Sequence, residues 1–177
     1  DAFTGITAYN ITLDHASNDF GSITITRGSA VTLVDVTALT ITDVTNTITS
    51  LELTAGASGI TINDTAITTT GTQDYNSAAT LGAGLTLTTT NSNITFDSTI
   101  NGAQALALDA GTSTVTVSDA IGGSTALTSL TVTNASQIDL ANVATSGVIS
   151  LTGTTIDLNG TTYASSTGAV GLTGAVD

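Results

Sequence analysis

Apolar residues recur along this chain as alternating triplets, [VIL]-x-[VIL] or close to it, and the triplets come in pairs whose second member starts about seven to nine residues after the first. Val31 and Leu33 lead to Leu39 and Ile41, and Leu51 and Leu53 lead to Ile60 and Ile62. The unit returns as Leu85/Leu87 with Ile94/Phe96, Leu106/Leu108 with Val115/Val117, Leu130/Val132 with Ile138/Leu140, and Ile149/Leu151 with Ile156/Leu158. Val170 and Leu172 begin another. Where the pattern is clean, one first triplet follows the last after roughly 19 to 24 residues, which is the period of a solenoid repeat.

Between Ile62 and Leu85 the spacing lengthens, and the stretch Ile67–Leu81 is expected to hold an extra strand pair or a loop extending from one coil. The pattern up to about Ile25 is also less regular. Thr, Ser or Asp separate the apolar positions, so each strand turns one face inward and one to water. Gly, Asn, Asp and Ser fill the intervals, where they tolerate left-handed backbone or satisfy the backbone of a turn.

Short strands at a fixed period also occur in sandwiches and barrels. Three features favour an all-β, parallel β-solenoid without helix over residues 1–177. The inward residues are aliphatic and of similar size, as stacked ladders require; the period belongs to a two-strand unit; and aromatic residues are only 3% of the chain, too few to hold two sheets together. Composition agrees. Thr, Val and Ile suit a pleated surface, while the helix formers Lys, Glu, Gln, Arg and Met are nearly missing.

Chemistry is scarce. There is no Cys, Met, Trp or Pro, and Lys plus Arg total 1 against 14 acidic residues, for a net charge of -13. With only Arg27 as a strong base, nucleic acid is an improbable partner. No apolar run approaches the ~20 residues that span a bilayer. The lack of Cys excludes a disulfide scaffold and a thiolate metal site.

His15 follows Asp14, but a single His beside an Asp in so Ser-rich a chain reads as a surface turn and not as part of a hydrolytic triad. The carboxylates Asp14, Asp19, Asp35, Asp43, Asp64, Asp74, Asp97, Asp109, Asp119, Asp139 and Asp157 are dispersed singly. They form no recognisable Ca²⁺ loop, and most read as solvating surface or turn groups. Stacked coils that bring two together would bind Ca²⁺ at most loosely. The five N-x-[ST] sequons at Asn10, Asn63, Asn93, Asn134 and Asn159 are what such a composition produces by itself. Gly82-Ala-Gly84 and Gly122-Gly123 lack the Lys and the following helix of a phosphate cradle and read as turns. Pairs such as Thr24/Thr26, Thr40/Thr42, Thr86/Thr88 and Thr131/Thr133 invite comparison with a flat ice-binding ladder. Unequal coil lengths and frequent replacement of the second Thr, as by Asn63, Asp97, Ser118 or Asn159, count against it. No catalytic, cofactor-binding or metal-binding residue is assigned.

The run Asn101-Gly-Ala-Gln-Ala-Leu-Ala-Leu-Asp-Ala-Gly-Thr-Ser-Thr-Val-Thr-Val-Ser-Asp119, continuing to Thr133, resembles the repeats of filamentous-haemagglutinin-like bacterial exoproteins, as does Thr68-Thr-Thr-Gly-Thr-Gln-Asp-Tyr75. The resemblance covers about two thirds of the chain, from about Ile60 onward. It implies a right-handed parallel β-helix carried across the outer membrane by two-partner secretion or as an autotransporter passenger. It also implies use at the cell surface for adhesion or as matrix. The expected function is therefore that of an extracellular structural or adhesive fibre, non-catalytic, with a glycan- or ice-binding module as the alternative. Host-cell or matrix glycans are the expected ligands. Neither Asp1–Leu13 nor Gly168–Val176 reads as a cap, so strand edges at one end are expected to pair with further β-structure, from a longer chain or from copies stacked end to end.

Overall fold

The structure, a computed structural model, describes residues 9–177. Among them there is no helix, and every strand pairing is parallel. The chain winds through about eight turns of roughly 21 residues each, a β-solenoid. At about 4.8 Å per coil, that stack extends roughly 38 Å along its axis.

The coils build three faces. Face I comprises Ile11–Leu13, Ala30–Val34, Ser50–Thr54, Gln73–Tyr75, Ile94–Phe96, Thr114–Val117, Gln137–Leu140 and the second half of Ile149–Leu158, each hydrogen-bonded to the next. Face II comprises Ala66–Thr69, Leu85–Thr89, Ala105–Asp109, Ser129–Asn134, the first half of Ile149–Leu158 and then Val170–Val176. Face III runs through Ser22–Ile25, Ala38–Val44, Gly59–Ile62, Ala79–Leu81 and Ile100–Asn101. It thins to single bridges at Ile121 and resumes in Val143–Thr145 and Tyr163–Ser165.

Apolar side chains at alternate positions form axial ladders in one continuous core. On face II, Ile67, Leu87, Leu108, Val132 and Leu151 stack coil upon coil, all at 1% exposure or less. Burial of each such side chain stabilises the fold by roughly 1.5–3 kcal/mol. The corners are tied by polar groups. Thr69 and Thr145 donate their hydroxyls back to the carbonyls of Gly71 and Gly147, both at 2.5 Å, while Asn142 Oδ1 accepts the N–H groups of Thr161 and Thr162 in the next coil at 2.7 and 2.9 Å. No buried side-chain nitrogen or oxygen among the described residues lacks a partner.

Two expectations from the triplet pattern need correction. The stretch Ile67–Leu81 is no protruding loop, and it exceeds a strand pair. It is a complete coil with one strand on each face, Ala66–Thr69, Gln73–Tyr75 and Ala79–Leu81. It also shifts the phase of the repeat. Leu51 and Leu53, first-triplet residues, stack on Gln73 and Tyr75, which stack on the second-triplet residues Ile94 and Phe96. First triplets therefore lie on face I before this coil and on face II after it, because equal spacing does not distinguish one face from another. The irregular N-terminal part still forms Ile11–Leu13 and Ser22–Ile25; residues 1–8 of the expected opening coil lie outside the described residues.

Candidate functional surface and interior polar cluster

The outward positions of face I form a column in register, Thr12, Thr32, Glu52, Asp74, Thr95, Thr116, Asp139 and Asp157. The register sets Glu52 beside Asp74 and Asp139 beside Asp157, residues far apart in sequence. Neighbours moderate the repulsion. Asn76 Nδ2 donates to Glu52 Oε1 at 3.3 Å, and Asn159 Nδ2 donates to Asp139 Oδ1 at 2.5 Å. Pairs are the limit of this gathering: among the described residues no group of three His, Cys, Asp or Glu could hold a metal ion.

Face II carries different chemistry. Its outward columns read Ala66, Thr86, Ala107, Thr131, Ser150 and Gly171 beside Thr68 and Thr88, with Thr152 opposite Thr173 further along; Asp109 is the one carboxylate among these positions. Differences in coil length are absorbed in the turns and in register shifts after Leu108 and after Thr152; the column through Thr86 and Thr131 stays aligned, while Asp109 pairs with Asn134 and Thr133 is passed over. Unequal coils thus do not by themselves spoil a flat ladder. The replacements of Thr along it remain.

Most singled-out residues lie where the sequence puts them. His15 is exposed, and its Nδ1 accepts the Ser17 N–H at 3.2 Å. Gly122 takes φ 72 at a bend, consistent with a turn. Asp35 and Asp64 are exceptions, being buried turn anchors rather than solvated groups. Asp64 accepts from the N–H groups of Val44, Thr65 and Ala66. Asp35 accepts from the N–H groups of Phe20 and Thr37, both at 2.7 Å, and from the Thr37 hydroxyl at 3.1 Å. Burial pushes its carboxyl up, but these three donors outweigh burial and hold it below its usual value of 3.8.

Inside the rod, sequence reading missed a polar cluster. Gln73 occupies a ladder position between Leu51 and Ile94, fully buried. The two hydrogens of its Nε2 are shared among three acceptors, the carbonyls of Ile67 and Thr88 and the Thr69 hydroxyl oxygen, at 3.2, 3.0 and 3.3 Å. Its Oε1 accepts from Tyr75, whose ring stacks on Phe96 with centroids 4.3 Å apart and planes 8° from parallel. Burial, with lesser contributions from Asp64 and Asp74, raises the Tyr75 phenol far above its ordinary value. A signal was present in the sequence: Gln-Asp-Tyr is the one triplet of its ladder with polar groups at both inward positions. Near the far end, Tyr163 donates to the Leu140 carbonyl at 2.7 Å and accepts the Gly160 N–H at 2.8 Å. Its phenol is also raised, first by burial and then by Asp157 and Asp139, against the lowering by Gly160.

Comparison of the chain with protein-family models, with curated proteins and with solved structures gives no match.

Proposed function

We propose that the chain forms part of an extracellular structural or adhesive fibre, a bacterial surface adhesin or matrix filament that does no chemistry. The observation carrying this reading is face I, whose hydrogen-bonded ladder passes through every coil from Ile11 to Leu158 without interruption. A stack tied this way transmits load along its axis through backbone hydrogen bonds, and small side chains suffice to build it. Acidic pairs on the outer column of face I discourage sideways association. Secretion to the cell surface is part of the proposal.

Electron microscopy of the purified protein, with binding measured against host-cell surfaces and matrix glycans, tests the reading. Rods that bind such surfaces, or that assemble axially into filaments, support it. Hydrolytic or transfer activity, or a compact particle with no axial or surface association, overturns it.

A second reading, a glycan- or ice-binding module, is favoured by the nearly uncharged, hydroxyl-rich columns of face II. Inhibition of ice recrystallisation, or glycan retention lost on Thr88→Lys, would select it over the fibre.

A further inference from the structure

Asparagine followed by glycine is the pair in a protein chain most prone to lose its side-chain amide without an enzyme, because glycine has no side chain to keep its nitrogen from the asparagine carboxamide carbon. The chain contains this pair twice, at Asn101-Gly102 and at Asn159-Gly160. The fold places the two in opposite situations.

Asn101 is fastened. It belongs to strand Ile100–Asn101, where it pairs with Thr80. Its Oδ1 accepts the N–H groups of Ser124 and Thr125 at 2.9 and 3.1 Å. Gly102 is buried with φ 121, and its own N–H donates to the Thr125 carbonyl at 3.3 Å. Swinging the Asn101 carboxamide over the Gly102 nitrogen breaks these bonds and strips two N–H groups of their acceptor.

Asn159 is held far less. It follows the end of strand Ile149–Leu158, is exposed, and opens a turn that stays out of the ladders until Tyr163. Among the described residues its Oδ1 accepts no hydrogen bond, and its side chain is tethered only through Nδ2, which donates to Asp139. Gly160 is half-buried, and its N–H makes a single bond, to the Tyr163 phenol oxygen at 2.8 Å.

We propose that Asn159 is a site of spontaneous deamidation, selected over Asn101 by the fold, and that its conversion weakens the corner where Asp139 and Asp157 meet. Hydroxide takes the Gly160 N–H proton, and the nitrogen attacks Cγ of Asn159. The N–Cγ bond forms, the Cγ–Nδ2 bond breaks, and Nδ2 leaves as ammonia with a proton from water. Water then opens the resulting succinimide at one of its two carbonyls, giving aspartate or isoaspartate; nothing is oxidised or reduced. Either product replaces the Asn159 donor to Asp139 by a third carboxylate beside the Asp139–Asp157 pair, and like charges facing each other across adjacent strands destabilise a sheet. Isoaspartate also lengthens the main chain just before Thr161 and Thr162, whose N–H groups are held by Asn142 Oδ1. The inference concerns the chain's own chemistry and stands independently of the proposed function.

Incubation of the whole chain in warm, mildly alkaline buffer, with and without urea, followed by digestion with an acid-active protease and mass spectrometry, tests it. Deamidation adds one mass unit, and chromatography separates isoaspartate from aspartate. In the folded chain the peptide carrying Asn159 is expected to convert while the one carrying Asn101 keeps its amide. In urea, where neither is held, both should convert at similar rates. Asn159→Asp, made directly, should melt below the parent protein, by a margin that shrinks as salt is added. Conversion of Asn101 as fast as Asn159 in the folded chain overturns the inference, as does an Asn159 that survives in the folded chain while the same residue converts in urea. An Asn159→Asp protein that melts with the parent at every salt concentration overturns the weakening of the corner.

Discussion

The phenolic hydroxyl of Tyr75 donates to Oε1 of Gln73 at 3.0 Å, two positions earlier on the same strand, with both side chains wholly buried. Tyr75→Phe keeps the stack on Phe96 but leaves that oxygen without its donor, which costs about 1–3 kcal/mol. Urea denaturation of both proteins measures the difference. The raised phenol pKa adds a pH dependence with a definite sign. Above the unfolded value near 10.0 the unfolded chain releases the Tyr75 proton and the folded chain keeps it, so stability falls as pH rises past that value. In Tyr75→Phe this alkaline loss should be smaller.

Leu108 and Asp109 are adjacent and face opposite ways. Leu108 is 1% exposed and stacks between Leu87 and Val132, so Leu108→Asp places an unpaired carboxylate in an aliphatic ladder and should cost several kcal/mol. Asp109→Asn keeps an oxygen to accept the Gly111 N–H and should change stability by less than about 0.5 kcal/mol. Equal losses in thermal melts would show the faces to be misassigned.

Asp35 contributes to the acid limb of stability. Its folded-state pKa is depressed, so its stabilising contribution is complete above the unfolded value near 3.8 and is lost as pH falls through the folded value. Asp35→Ala should lower stability at neutral pH by about 1–3 kcal/mol, because the Phe20 and Thr37 N–H groups lose their acceptor. The same variant should lose less than the parent protein between pH 4 and still lower values, as read from denaturation midpoints across that range.

Gly59 has φ 74, and a Cβ there would lie 2.4 Å from the Ala78 carbonyl oxygen of the next coil. Backbone cannot yield as a flexible side chain can, and left-handed backbone adds its own strain, so Gly59→Ala should cost more than about 1 kcal/mol. Gly84 offers the comparison, since its nearest atom would be the Ala105 carbonyl oxygen at 4.0 Å. A melt of Gly84→Ala should stay within about 1 kcal/mol of the parent.

Asp139 and Asp157 face each other across adjacent coils. Replacing Asp157 by Asn removes a like-charge pair and should raise stability by about 0.2–1 kcal/mol in low salt. The gain should shrink as salt is added, because the repulsion it relieves is screened. Unchanged melting temperatures at every ionic strength would show the pair to be uncoupled.

The alternation Val31-Thr-Leu33 or Leu106-Ala-Leu108 states directly which side chains turn inward, because a strand has period two and no other arrangement buries both residues. Repetition of such triplets at a nearly constant interval, together with aliphatic inward residues of similar size and a scarcity of aromatics, is what favours stacked parallel coils over a sandwich or barrel. Which triplet stacks on which is not contained in the pattern. Leu51 meets Gln73 and not Leu85 because one coil supplies three strands where its neighbours in sequence suggest two, and spacing alone treats the faces as equivalent. Asp64 and Gln73 likewise look like any polar residue of a turn or an outward column. Only the stacked fold carries them inside, where the N–H groups and carbonyls of separate coils converge on them and make their burial favourable.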